Sequence, residues 1–172
     1  MSDFTPARSG GPDLFNTPLE AGLRAVVILD AFAPRAFDLK TLSLLDYYAV
    51  HAGDVDVAAD TPESLHPPIS PRRGEYFVRR RLVEDGLALM ERAFLLDRVA
   101  MDDGFAFKAR EVAAAMVDLM QSNYNAQLRE AARWIAKQAE VEGHDTFFKR
   151  LNAGVDRWKH EVDGAFEDGS AS

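Results

Sequence analysis

The sequence predicts a mainly α-helical protein that contains a winged helix-turn-helix domain. Two observations carry this prediction: three helical patterns follow one another between residues 18 and 92, and an alternating strand pair with an Asp-Gly turn comes next. Three helices and a β-hairpin in this order are the parts of a winged helix-turn-helix, in which the hairpin is the wing. Further helical patterns after residue 110 predict C-terminal helices.

The first helix is predicted over about residues 18–32. Thr17 can cap it, Pro18 suits the first helical position, and Glu20 stands three residues after the cap, which is the spacing of a capping box. Apolar residues then recur at helical spacing, namely Leu19, Leu23, Val26, Val27 and Leu29. The helix is expected to stop before Pro34, because a residue that precedes proline avoids helical backbone angles.

A second helix is predicted from the cap Asp38 to the breaker Gly53. The following segment, residues 53–74, holds four of the eight prolines and cannot form a regular helix. A loop of this length is uncommon within a compact domain and is usually either functional or disordered. This segment is therefore expected to be either a functional loop or disordered.

A third helix is predicted from about Glu75 to Arg92. At 100° per residue, one broad face is apolar and carries Tyr76, Val78, Leu82, Val83, Leu87, Leu89 and Met90. The other face carries Arg80, Arg81, Glu84, Asp85, Ala88 and Glu91. This arrangement predicts that the third helix packs on a core with its charged face outward.

Residues 94–109 alternate in the manner of a half-buried strand pair, and Asp102-Asp103-Gly104 supplies the turn. Beyond them, helical spacing continues and a final helix is predicted to begin near Asp145. The predicted organisation is a flexible arm (1–16), a winged-helix domain (17–110), a C-terminal helical extension (111–166) and a disordered tail (167–172).

Composition restricts the function. The formal net charge is −8 and the pI is about 5.0, so the protein as a whole repels DNA and anionic lipid. With no cysteine, disulfides, thiolate metal sites and cysteine nucleophiles are excluded. The N-terminus lacks the profile of a signal peptide and no apolar run is long enough to span a membrane, so we expect a cytoplasmic protein without membrane contact.

Five arginines nevertheless lie within a short stretch, at Arg72, Arg73, Arg79, Arg80 and Arg81. Arg80 and Arg81 stand four residues before Glu84 and Asp85 and can pair with them on a solvated helix surface. Arg79 falls inside the apolar arc and needs a carboxylate, either in its own fold or on a partner. Arg72 and Arg73 are expected in the loop before the helix, free to contact a partner.

The wing argues against direct DNA binding. In a DNA-reading winged helix, the third helix enters the major groove and the wing follows the phosphates. Here the wing tip is Asp102-Asp103, and its carboxylates repel a phosphate backbone. A winged-helix transcriptional regulator is kept as the alternative function, and DNA is expected at most indirectly or through a complex.

An enzyme is not predicted. His51, Asp54 and His66 could make a site of two histidines and one carboxylate, but their spacing does not demand one, and a metal hydrolase is the least favoured interpretation. No nucleophile motif or phosphate-binding loop occurs. We therefore expect no catalytic residue, no metal and no cofactor.

An apolar stripe at helical spacing runs along the final helix. Its residues are Phe148, Leu151, Val155, Trp158 and Val162, followed by Phe166. Such stripes more often pack within their own domain, but the position after the Gly143 break keeps partner docking open. These residues join the arginines as candidate partner-binding residues.

Four stretches together resemble the middle component of bacterial ABC three-component systems. They are NTPLEAGLR from Asn16, LDYYAVHAGD from Leu45, SLHPP from Ser64, and RGE from Arg73 with Arg79-Arg80. The resemblance covers residues 16–136, and residues after Gly143 lie outside it.

The resemblance implies a non-catalytic subunit encoded between an SMC- or Rad50-like ABC ATPase and an effector component, in cassettes that defend bacteria against phage or plasmids. A winged-helix subunit of this kind is similar to the KITE proteins of SMC complexes. It implies an adaptor that bridges the ATPase and the effector from the same operon, with a homodimer left open. The arginine cluster is then expected to meet carboxylates on a partner.

Overall fold

The computed structural model describes residues 17–55, 60–66 and 72–167, and within its helices the side chains other than those of residues 72–75, 77 and 158–167. The elements are α1 (Pro18–Ala31), β1 (Phe37–Asp38), α2 (Leu39–Val50), α3 (Arg72–Arg92), β2 (Leu96–Met101), β3 (Gly104–Ala109), α4 (Glu111–Leu119), α5 (Asn123–Glu142) and α6 (His144–Glu167). The protein is therefore mainly helical, as predicted, with a small antiparallel sheet. The arm predicted at 1–16 and the tail beyond residue 167 lie outside the described residues.

The predicted starts of α1 and α2 are confirmed by their caps. At α1 the Glu20 N–H donates to Thr17 Oγ1 at 3.2 Å, and the Thr17 N–H donates back to Glu20 Oε2 at 3.1 Å. At α2 the Thr41 N–H donates to Asp38 Oδ1 at 2.7 Å. These bonds satisfy amide groups that have no partner within the helix, and they fix where each helix begins.

Two predicted boundaries are wrong. Helix α2 ends at Val50 rather than near Gly53, and a short 3-10 turn, Ala52–Val55, follows it. Helix α3 begins at Arg72, so Arg72 and Arg73 belong to its first turn and not to a loop. Gly74 does not stop the helix, because a glycine within a helix costs only about 1 kcal/mol, which the packing of the remaining turns exceeds.

The sheet has the strand order β1-β3-β2, and both pairs are antiparallel. Strands β2 and β3 form the predicted hairpin, with Met101 opposite Gly104 across the turn. Strand β1 was not predicted; it pairs Phe37 with Phe107 and brings the chain between α1 and α2 to the hairpin. A two-residue strand has no periodicity by which a sequence could reveal it.

Helices α1 and α3 cross at two glycines, Gly22 and Gly86. A Cβ atom added to Gly86 would lie 2.5 Å from the Gly22 nitrogen and from the Pro18 oxygen. The two backbones therefore touch, which any side chain at this crossing would prevent.

The C-terminal helices share one hydrophobic core with the first three. Leu128 and Ile135 of α5 and Phe147 and Leu151 of α6 belong to the same buried cluster as the apolar faces of α1, α2 and α3. The Tyr48 hydroxyl on α2 donates to the Leu151 carbonyl at 3.2 Å. The described part of α6 thus packs along α2 and α3 and supports the helix that carries the arginines.

Candidate partner-binding site

Arg79 is buried, although it was predicted to contact a partner. Its guanidinium NH1 lies 3.2 Å from Asp46 Oδ2 and its side chain is 2% exposed. The inference that Arg79 needs a carboxylate is confirmed, and the carboxylate is in its own fold. Its assignment as a partner-binding residue is therefore wrong.

Asp46 is the centre of this buried cluster and also binds Arg24 of α1. Arg24 Nε donates to Asp46 Oδ1 at 2.6 Å and its NH2 donates to Oδ2 at 3.3 Å. Burial alone would raise the pKa of Asp46, but the charges and hydrogen bonds of Arg24 and Arg79 outweigh it and lower the pKa below its usual value. The cluster therefore joins α1, α2 and α3 through one ionised carboxylate.

His66 extends the cluster to the segment before α3. Arg79 NH2 lies 2.8 Å from His66 Nδ1, and the Tyr124 hydroxyl of α5 lies 3.3 Å from Nε2. Because a guanidinium only donates, Nδ1 accepts, and the neutral ring carries its proton on Nε2. Burial, followed by the positive charges of Arg79 and Arg24, lowers the pKa of His66 to about 4.

We expect the stability of the protein to fall as the pH drops from about 6.5 to about 4. The pKa of His66 in the folded protein lies below its value of about 6.5 in the unfolded chain. As the pH falls through this window, the unfolded chain binds a proton that the folded protein does not, so the unfolded state is stabilised relative to the folded state. The measurement is the urea midpoint at pH 7, 6 and 5 for the wild type and for His66→Gln. If the urea midpoint of His66→Gln falls with pH as steeply as that of the wild type, His66 does not have this role.

His51, Asp54 and His66 do not form the metal site that the least favoured interpretation required. The Tyr47 hydroxyl donates to Asp54 Oδ2 at 2.7 Å, and the His51 and His66 rings lie 6.0 Å apart at nearly right angles. Among the described residues, no three histidine, cysteine, aspartate or glutamate side chains are placed to hold a metal ion. The described residues therefore give no support to the metal-hydrolase interpretation.

The exposed face of α3 keeps the other described arginines accessible. Arg80 and Arg81 are exposed, as are Glu84 and Asp85. In the described structure, neither arginine forms the expected ion pair with the carboxylate four residues later. Arg80 and Arg81 are consequently available to another molecule. For Arg72 and Arg73 the structure describes the backbone alone.

The apolar stripe of α6 faces its own core. Leu151 and Val155 are buried and Phe148 is half-buried, with its ring 5.4 Å from that of Phe37. Leu151 and Val155 are therefore not free to bind a partner, and their assignment to a partner site is corrected. Phe148 is partly covered by its own core. The side chains of Trp158 and Val162 lie outside the described residues.

Sequence reasoning missed Arg24, Asp46 and Tyr124, which complete the cluster around Arg79. A charge within an apolar arc was the available signal: Asp46 lies between Leu45 and Tyr47, and Arg24 lies between Leu23 and Ala25.

Within the described residues, every helix is too short or too polar to cross a membrane.

A family model described as "ABC-three component (ABC-3C) system Middle Component 2" matches residues 14–161. The match extends beyond the resemblance, which ended at residue 136, and includes most of α6. No curated protein and no solved structure matches the chain.

Proposed function

This chain belongs to the Middle Component 2 family of ABC-three component systems, and we propose that it is a non-catalytic adaptor within such a system. In this proposal it bridges an SMC- or Rad50-like ABC ATPase and an effector component from the same operon, in cytoplasmic defence against phage or plasmids. The observation that carries the proposal is the family match over residues 14–161. The adaptor role agrees with a sequence that has no catalytic motif.

We propose that residues 17–110 are a winged-helix domain similar to the KITE proteins. The element order α1-β1-α2-α3-β2-β3 and the strand order β1-β3-β2 support this assignment, since the hairpin then forms the wing beside α3. Helices α4 to α6 form the C-terminal extension of this proposal. Their shared core with α1 to α3 makes the whole unit a rigid support for the face of α3.

The surface favours a protein partner over DNA. The wing tip at Asp102 and Asp103 is exposed and acidic, and Glu84 and Asp85 are exposed on α3. Phosphates approaching α3 and the wing together would meet these carboxylates. A winged-helix transcriptional regulator stays the alternative, supported by the exposed Arg80 and Arg81.

The test is purification of the tagged protein from its own operon, with the paired change Arg80→Glu and Arg81→Glu. We expect the wild type to retain the ATPase component and the double variant to retain about tenfold less of it. The reason is that two exposed arginines are replaced by glutamates, which repel the carboxylates of the partner. Arg79 is left unchanged because it is buried against Asp46.

The control is Lys137→Glu with Lys149→Glu, which makes the same charge change at exposed positions of α5 and α6. Retention of the ATPase by the control and its loss from the arginine variant would support the proposal. A wild type that purifies alone but binds its own promoter DNA in a salt-dependent manner would instead establish the regulator.

A further inference from the structure

A groove runs between α3 and the β-hairpin, and we propose that it binds a basic segment with apolar side chains from another component of the same system. The inference rests on the adaptor function and adds a second contact surface, of opposite charge to Arg80 and Arg81. It rests on the apolar floor of the groove, on its acidic rim, and on the excess of negative charge among the lining side chains.

The floor of the groove is apolar. Leu39, Leu87 and Phe107 lie along it, and Phe105 lies at its outer edge with 55% of its surface exposed. The volume is about 420 Å³, which is enough for one or two large side chains of a partner. The exposed ring of Phe105 adds apolar surface beside this cavity, which a side chain of a partner would cover.

The rim of the groove is acidic. Glu84 and Asp85 lie on the α3 side, and neither forms an ion pair with any described residue. On the sheet side, the charge of Arg98 is already matched, since its NH2 lies 2.7 Å from Glu91 Oε2. Among the side chains that line the groove, negative charge therefore exceeds positive charge.

Arg98 also shapes the sheet wall of the groove. Its guanidinium carbon lies 5.2 Å from the Phe105 ring centre and 5.5 Å from that of Phe107, so cation–π contacts favour this arrangement of the two rings. Any such ordering of the wall lowers the ordering cost of binding.

Charge complementarity identifies the occupant. A lysine or arginine near an apolar side chain would meet Glu84 or Asp85 while the apolar side chain fills the floor. DNA is disfavoured because its phosphates would face the same carboxylates and those of the wing tip at Asp102 and Asp103. A second copy of this chain would carry a net charge of −8, which disfavours it. Because its Arg80 and Arg81 are also exposed, crosslinking to a second copy is one outcome of the test.

The test uses short overlapping peptides that cover the ATPase and effector components, with the full-length protein as the soluble partner. We expect the wild type to bind peptides that combine basic and apolar residues. Glu84→Lys with Asp85→Lys should weaken that binding by about tenfold or more, because the rim charges are reversed. The matched control, Glu130→Lys with Glu140→Lys, makes the same charge change on exposed positions of α5 and should bind as the wild type does.

Each outcome decides the proposal. Equal binding by the groove variant and the wild type overturns it, as do acidic peptides as the preferred ligands. A short DNA duplex that displaces the bound peptide, or chemical crosslinks from this groove to a second copy of the chain, overturns it as well. If the groove variant keeps full co-purification with the ATPase and binds every peptide normally, the groove proposal fails while the adaptor proposal stands. If the wild type binds neither components nor peptides, both fail.

Discussion

Replacement of Asp46 by asparagine is expected to lower the free energy of unfolding by about 3 to 5 kcal/mol, the usual cost of removing one partner from a buried charge pair. The Asp46 carboxylate is fully buried and accepts hydrogen bonds from Arg24 at 2.6 Å and from Arg79 at 3.2 Å. Asparagine has nearly the same shape but no charge, so two buried guanidinium groups lose the anion that they share.

The measurement is the unfolding of the wild type and Asp46→Asn in urea, followed by circular dichroism. Asp85→Asn is the control, since it removes an exposed carboxylate and should change stability by no more than about 0.5 kcal/mol. If Asp46→Asn unfolds at the same urea concentration as the wild type, the cluster does not hold α1, α2 and α3 together.

The position of Arg79 could be predicted from the sequence, whereas its partner could not. Helical spacing places Arg79 in the apolar arc of α3, and burial of that arc requires a carboxylate. Asp46 lies 33 residues earlier in the chain, and Arg24 lies a further 22 residues before it. Helical periodicity tells which face a residue occupies within its own helix. It does not tell which faces of different helices meet, because that depends on how the helices cross.

The apolar stripe of α6 shows the same limit. An apolar face has the same pattern whether it packs on its own core or on a partner, so the sequence alone left both open. The contacts of Leu151 and Val155 with the core answer the question for the described part of α6. The start of α3 was missed for a local reason, because Gly74 suggested a break that its small energetic cost does not enforce.

The cluster and the exposed face of α3 are parts of one arrangement. Arg79 points into the core and bonds to Asp46, while Arg80 and Arg81, the next residues of the helix, point outward. His66 and Tyr124 add hydrogen bonds from the preceding segment and from α5. The interior thus fixes the rotation of α3, and that rotation determines which charges the surface offers to a partner.

The close crossing of α1 and α3 sets the distance and angle between these two helices. Gly86→Ala, at this crossing, is expected to lower the free energy of unfolding by about 1 to 3 kcal/mol. Alanine inside a helix normally gains about 0.5 to 1 kcal/mol over glycine, so a loss would run against the intrinsic preference. The cause is the new methyl group, which would lie 2.5 Å from the Gly22 nitrogen and the Pro18 oxygen. These are backbone atoms, and they can give way only if the two helices separate.

Gly154→Ala in α6 is the matched control, because the same methyl group would meet the Tyr48 hydroxyl, the end of a side chain, at 2.8 Å. We expect Gly154→Ala to lose less stability than Gly86→Ala when both are unfolded in urea beside the wild type. Equal stability of Gly86→Ala and the wild type would mean that α1 and α3 can move apart at little cost. The face of α3 would then not be held at a fixed angle, and a partner would have to select that angle when it binds.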